Sequence, residues 1–498
     1  MHPDALSLTV AAVPIVLVLL LLVLRVPSLW AGAAGLAAAL MGAAIAFPVS
    51  GAQAGEATAS LGPTVIEVAI ILLGGVGLAE GMARSGAQDR IAAWLSAAET
   101  GADRTVMLLL LVYGMTPFME SVTGFGLGVV ITAPLLIRLG LTPVKAVVSG
   151  LLGLVLVPWG SLGPGTLVAA QLGGVDFTEL GVWSALLTPV VLAVSMVAVL
   201  WLNVGRVHLR DVALSALVLV VATAVLTAAN ALLGPPLAGV IAGASVIALL
   251  LAVTRLQRGS LPPVDRALGR ALLPYAVLSA GILGATGLLA LGDGLAATGA
   301  AEAGGAAAGT AVQTTTDALG WLASPAVWSV VAASVGIAMA PAAWAARLAM
   351  LRGTLRRWVP IAGNALVFLL MGIVLATAGM ASHLAEAAAQ VGLGFVAAIP
   401  LLGALGGYLT GSNTGAAAML STATASSAAG LGASPLVALA GQNVAGSFAI
   451  IASPPRIALA VGVALPPGER LPRRMLAVLL GAVAAAALLL GALTLLLR

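Results

Sequence analysis

Apolar stretches of about twenty residues follow one another along most of this chain, separated by short polar or basic interruptions. A stretch of that length spans the hydrocarbon core of a bilayer as an α-helix, and the pattern predicts about 12–14 crossings. No strand-period alternation is visible, so a closed barrel is not expected. Helices satisfy every backbone amide within their own segment, which lipid requires. The expected fold class is therefore an all-α polytopic membrane protein. The first stretch, Leu6 to Leu24, follows Asp4 rather than a basic leader and ends at Arg25 without a small-residue cleavage site. It is expected to be retained as the first helix.

The apolar pattern is broken twice in the same way. Ser121-Val122-Thr123-Gly124 is followed by Ser161-Leu162-Gly163-Pro164, and Ser412-Asn413-Thr414-Gly415 is followed, at nearly the same interval, by Ser453-Pro454-Pro455. Hydroxyls, Gly and Pro at corresponding places in two halves are the expected mark of broken helices or re-entrant hairpins around a site near the bilayer midplane. Polar residues with a Pro-Pro pair interrupt the pattern at 255–270 and divide the chain. The expected organisation is a repeat half at 1–255, with its hairpin motif at 116–166, and a second at 256–498, with its motif at 405–456. The interfacial pattern of Asp89 to Glu99 predicts a short amphipathic helix.

Composition agrees with this class: 61% of the 498 residues are hydrophobic and 8% charged. Cys is absent, which excludes disulfides and thiol chemistry. The net charge of +4 is clustered in interruptions, which reads as membrane orientation and not as nucleic-acid binding. Basic clusters at Arg84/Arg90/Arg104, Arg255/Arg258/Arg266/Arg270, Arg347/Arg352/Arg356/Arg357 and Arg470/Arg473/Arg474 are expected on the cytoplasmic side. Segments 50–62 and 293–317, without Lys or Arg, are expected as outside loops. In that arrangement Gly74 to Met82 and its counterpart Gly372 to Met380 run in opposite senses, as in an inverted-topology repeat.

Glu120 is the only charged side chain between Arg104 and Arg138. A carboxylate at bilayer depth is costly unless it is protonated, paired or facing water. It suits a group that takes up and releases a coupling proton; the alternative is a cap on amides freed by the helix break. The second motif has no charge between Glu386 and Arg456, so Ser412, Asn413 and Thr414 offer neutral donors and freed amides, which suit an anion. Ser161 and Thr166 in one half, and Asn443, Ser447 and Ser453 in the other, are expected to line the site. Arg456 either pairs with a substrate carboxylate or marks the cytoplasmic end. Glu67 and Glu80 are expected near opposite ends of one span, Glu80 solvated. His383 is expected in an outside loop, and the Trp residues as interface anchors.

With these residues in hand, the chain resembles the L-lactate permease family of bacterial monocarboxylate transporters. Glu120-Ser-Val-Thr-Gly124-Phe125-Gly126 is similar to that family's E-G-A-A-G-F-G, and Thr410-Gly411-Ser412-Asn413-Thr414 to its T-G-S-D-T. Asn443-Val-Ala-Gly446-Ser447 and Ser453-Pro454-Pro455 resemble its N-T-T-G-G run and S-P-Q step more loosely. The resemblance implies uptake of lactate or glycolate with protons, and kinship to the ion-transporter superfamily. Asn413 stands where the family has Asp, and Ser121 and Thr123 add hydroxyls to the first motif.

The expected function is a secondary transporter of a small monocarboxylate by proton symport and alternating access; Na⁺-coupled transport of another small organic anion is the alternative. Ser121, Thr123, Gly124, Ser161, Ser412, Asn413, Thr414, Asn443 and Ser453 would bind substrate, and Glu120 would carry the proton. The expected partners are a small organic anion and the lipid bilayer, with no cofactor and no nucleic acid. A membrane enzyme would need a clustered catalytic set, and His2, His208 and His383 are scattered.

Overall fold

The computed structural model describes residues 5–99, 103–124, 126–258, 261–303, 321–322, 324–340, 344–466 and 468–498, and among these no strand forms. Helices α1 (Ala5–Val23), α2 (Ser28–Ile45), α3 (Gly51–Arg84) and α4 (Ala87–Glu99) precede a first hairpin, α5 (Arg104–Thr123) and α6 (Leu127–Arg138). Next come α7 (Pro143–Leu152), a 3-10 turn (Val157–Leu162), α8 (Pro164–Gly173) and α9 (Phe177–Asn203). Helices α10 (Leu209–Leu233), α11 (Pro235–Arg258), α12 (Arg266–Ala303) and α13 (Pro325–Met339) lead to α14 (Trp344–Thr377) and α15 (Met380–Val391). A second hairpin, α16 (Gly394–Thr410) and α17 (Asn413–Gly430), is followed by α18 (Pro435–Ala449), a 3-10 turn (Ile450–Ala452), α19 (Pro454–Ala464) and α20 (Arg473–Leu496).

Eleven of the described helices are long and apolar enough to cross a membrane, accompanied by five shorter apolar helices that include α6, α7, α16 and α19. The chain is an all-α polytopic membrane protein. The order of elements recurs: a helix of 34 residues (α3, α14), a short one of 13 or 12 (α4, α15), a hairpin, a helix, a 3-10 break, a half-length helix and a long closing helix.

The chain packs as two units, one of residues 1–66, 95–262 and 360–498 and one of 67–94 and 263–359. Helix α3 passes from the first unit into the second near Pro63, and α14 passes from the second into the first at Pro360. Within the smaller unit these helices are antiparallel, because Trp358 Nε1 donates to the Ala69 carbonyl at 2.9 Å while Thr354, one turn earlier on α14, lies against Gly77, further along α3; Arg357 pairs with Glu80 at 2.8 Å. Glu80 is not solvated as expected. It is buried, and a second arginine, Arg84, bonds its other oxygen at 3.0 Å. Glu67 accepts from Ser324 Oγ at 2.6 Å. Helix α4 confirms the helix expected there, and its Arg90 pairs with Asp265. The Asp265 carboxyl is held below the usual carboxylate range, first by the Leu268 N–H at the start of α12 and then by Arg90.

Three local readings change. Segment 50–62 is not a loop but the start of α3. Ser50 Oγ accepts from the Gln53 N–H, and Gln53 Oε1 accepts from the Ser50 N–H, a capping box that nucleates the helix despite its polar composition. Segment 293–303 is the end of α12, and 304–317 lies outside the described residues. His383 is on α15, with its ring edge against Phe47 at a 4.9 Å centroid distance.

In the larger unit α16 and α18 touch backbone to backbone. A Cβ on Gly403 would lie 2.5 Å from the Gln442 carbonyl, and one on Gly407 would overlap Gly446. Glycines four apart on α16, Gly403 and Gly407, with Gly446 facing them on α18, permit this approach, the usual route to tight packing in lipid. Gly407→Val is expected to cost about 3 kcal/mol, the upper end of the usual overpacking range, by forcing the helices apart. The check is the unfolding midpoint of purified protein in detergent; an unchanged midpoint would refute the close contact.

Candidate functional site

Pro117 has no N–H to donate to the preceding turn, and the helix widens into a π-helical stretch from Leu110 to Met115 just before it. Thr116 Oγ1 stitches this bulge, bonding the Leu111 carbonyl at 2.9 Å and Thr132 Oγ1 of α6 at 2.8 Å. Helix α5 then stops because Gly124 has φ 68° and ψ −165°, a conformation open essentially to glycine alone. Gly126 follows at φ 84° and starts α6; Phe125 between them lies outside the described residues.

Downstream, Ser161, Leu162 and Gly163 are all left-handed, with φ of 42°, 68° and 76°. Two of these are not glycine, and such strain persists only where neighbours over-determine it. Here Trp159 is fully buried and donates to Asn230 Oδ1 at 2.9 Å, while Thr166 Oγ1 donates to the Pro158 carbonyl at 2.7 Å.

The second half repeats the plan with milder means. Gly411 at φ 64° ends α16, and Ser412 Oγ accepts from the Gly415 N–H to cap α17. A 3-10 turn and Ser453 precede Pro454-Pro455, whose fixed φ and missing N–H suit the first turn of α19.

Each hairpin tip meets the break of its own half. A Cβ on Gly124 would lie 2.5 Å from Ser161 Cβ, and one on Gly411 would lie 3.4 Å from Ser453 Oγ. The half-length helices then cross over. Helix α8 packs on α17 and α18, and α19 packs on α6 and α7. That exchange, in which each half lends the same element to the other, is the contact pattern of a two-fold relation. At the crossings a Cβ on Gly165 would lie 2.5 Å from Asn413 Nδ2, and one on Gly126 would lie 2.5 Å from Arg456 Nη1. The N-termini of α6, α8, α17 and α19 are thereby gathered, each presenting the positive end of a helix dipole, roughly +0.5 of a charge at most, with fewer free N–H groups where Pro164 and Pro454-Pro455 begin α8 and α19.

The gathered residues form two groups. In one, both oxygens of Glu120 accept from the Gly126 N–H, at 2.9 and 3.1 Å, and Arg456 Nη2 lies 3.7 Å from Oε1. Glu120 is 1% exposed. Its carboxylate leaves the last turn of α5, where a negative charge is disfavoured, and folds onto the first turn of α6, where it is favoured. In the other group, Asn443 Oδ1 accepts from Asn413 Nδ2 at 2.9 Å, and Asn443 Nδ2 reaches Thr166 Oγ1 at 3.0 Å and Ser184 Oγ at 3.1 Å. Beside it Gln442 donates to Ser421 at 3.1 Å and accepts from Thr424.

Not every sequence-selected hydroxyl faces this centre. Ser121 Oγ points at Gly239 of α11 with no hydrogen bond among the described residues, Thr123 Oγ1 donates back to the Met119 carbonyl at 2.6 Å, and Ser447 Oγ to the Val444 carbonyl at 2.9 Å. Thr414 is buried in the first turn of α17. Ser453 Oγ is fully buried and has no partner among the described residues. Arg456 is the residue the sequence left undecided, since nothing in a linear pattern says which half a lone cation will face. Gly126 and Gly165 were missed as close-approach positions, and Ser184 gave no signal beyond an ordinary hydroxyl in a long helix. Among the described residues no group of acidic residues and His could hold a metal ion.

The arrangement presents positive helix ends, one guanidinium, one carboxylate and a free buried hydroxyl, which together favour a small anion. No curated protein is a sequence match to the chain. A family model described as L-lactate permease matches residues 7–260 and 306–468.

Proposed function

Since this chain belongs to the L-lactate permease family, a family of multi-pass membrane transporters that carry lactate, we propose that it imports L-lactate, and by extension D-lactate or glycolate, by proton symport. The observation that carries the reading is the gathering of the α6, α8, α17 and α19 N-termini, with the Glu120 carboxylate held where α6 meets α19. In this reading Gly124, Ser161, Ser412, Asn413, Thr414 and Ser453 surround the substrate carboxylate and hydroxyl, with Asn443 holding Asn413 from behind. Ser121 and Thr123 support the first tip from its far side. Glu120 takes the coupling proton. Residues 1–255 and 256–498 act as the two repeats, and exchange of their packing exposes the site first to one side and then to the other.

Purified protein in proteoliposomes is expected to accumulate labelled L-lactate under an inward proton gradient, and to do so with choline in place of Na⁺. Uptake abolished by choline at fixed pH would overturn proton coupling in favour of a Na⁺-coupled organic-anion carrier.

A further inference from the structure

Arg456 is in an unfavourable place for a cation. It sits in the first turn of α19, against the N-terminus of α6, so two positive helix ends face it. Its side chain is 13% exposed. A guanidinium carries a fork of N–H donors that matches a carboxylate. Yet among the described residues the Arg456 guanidinium donates no hydrogen bond, and its one charged neighbour, Glu120, is 3.7 Å away and turned to the Gly126 N–H. Ser453, three residues before it, keeps a fully buried hydroxyl unpartnered. The place is built for more negative charge than Glu120 supplies.

Other charged or titratable groups on the elements packed against this corner do not compete. Arg138 ends α6, Lys145 is bonded to the Leu202 carbonyl, Arg210 pairs with Asp103 at the opposite end of α5, Asp211 caps α10, and Arg255 and Arg258 close α11. None forms an ion pair with Glu120.

Building on the symport reading above, we propose that Arg456 is the anchor for the substrate carboxylate and that Glu120 is its stand-in partner, displaced by protonation. The charge count supplies the coupling. Empty, the site holds Glu120 carboxylate and Arg456 guanidinium and is neutral. Loaded, one proton is on the Glu120 carboxyl, the monocarboxylate is on Arg456, and the site is neutral again. A proton alone leaves +1 and an anion alone leaves −1, and an uncompensated charge is disfavoured at bilayer depth. Only the two neutral states are free to change the side they face, so one proton crosses with one monocarboxylate and no net charge moves.

The test compares labelled L-lactate exchange and net uptake in proteoliposomes between pH 5.5 and 7.5 for wild type, Glu120→Gln, Arg456→Gln and Arg456→Lys. Wild-type half-saturation for lactate is expected to rise with pH, approaching tenfold per unit where Glu120 is ionised. Glu120→Gln is expected to exchange lactate with no pH dependence while losing net accumulation, because its empty site is stuck at +1. Arg456→Gln is expected to lose exchange at every pH, with part of it restored in Arg456→Lys. Arg456→Gln exchanging within threefold of wild type, or Glu120→Gln keeping the wild-type pH dependence, would overturn the proposal while leaving lactate transport standing. The Glu120→Gln arm decides even if the Arg456 variants fail to fold. Absence of lactate exchange in the wild type would overturn the transport reading itself and this proposal with it.

Discussion

Glu120→Ala is expected to destabilise the protein by about 3–5 kcal/mol and to bring gradient-driven lactate accumulation to the level of empty liposomes. Removing one partner of a buried ion pair leaves the other charge uncompensated, and that cost dominates. Here the stranded group is Arg456, pressed between two helix N-termini that already repel it. The Gly126 N–H also loses its acceptor at the strained tip. Adding Arg456→Met to Glu120→Ala is expected to recover stability to within about 1 kcal/mol of wild type, since an apolar replacement of both partners removes the stranded charge. Transport should not return. Unfolding midpoints in detergent and uptake in proteoliposomes read the two effects separately. A single variant as stable as wild type would show that the pair does not exist in the folded protein.

The second large effect falls on the neutral half of the site. Asn443→Leu is expected to cost about 3–5 kcal/mol, because three hydrogen bonds vanish at once and each stranded polar partner costs about 1–3 kcal/mol. The amide joins α18 to α17 through Asn413, to α8 through Thr166 and to α9 through Ser184. Loss of this knot loosens the crossing of α8 over α17, on which the second tip depends. A double-mutant cycle with Asn413→Leu should return a coupling of about 1 kcal/mol or more between the two positions. Additive effects would show that they do not touch.

The places where the chain stops being an ordinary membrane helix are legible in the sequence, and the reason is chemical. Gly124, Gly126 and Gly411 are glycines at positive φ, and Pro117, Pro164 and Pro454 are missing donors, so each marks a turn that other residues would resist. Glu120 is legible too, as a lone carboxylate in apolar surroundings. What a linear pattern does not contain is direction. Ser121 and Glu120 are adjacent, yet one side chain packs on Gly239 of α11 and the other folds over the hairpin to Gly126. The crossing of α8 and α19 between halves decides that Arg456 meets Glu120 and that Thr166 meets Asn443, and no local propensity encodes it. Charge pattern also misled where a cap was at work: Ser50 and Gln53 start a helix where the absence of Lys and Arg read as an outside loop.

The separation of Glu120 from Arg456 along the chain bears on how the protein is made. Residues emerge from the ribosome in order, so Glu120 enters the bilayer long before its counter-ion has been synthesised. An acidic side chain costs about 2.5–3.5 kcal/mol at the centre of an inserting helix on translocon scales, and less toward the helix end where Glu120 sits. The run Met107 to Val112, buried in the finished protein, supplies apolar residues that offset this during insertion. The acid is then neutralised only when the last quarter of the chain arrives and α19 seats against α6. A chain truncated before Arg456 would therefore carry an exposed defect in the membrane, a signal by which quality-control proteases could tell an unfinished protein from a finished one.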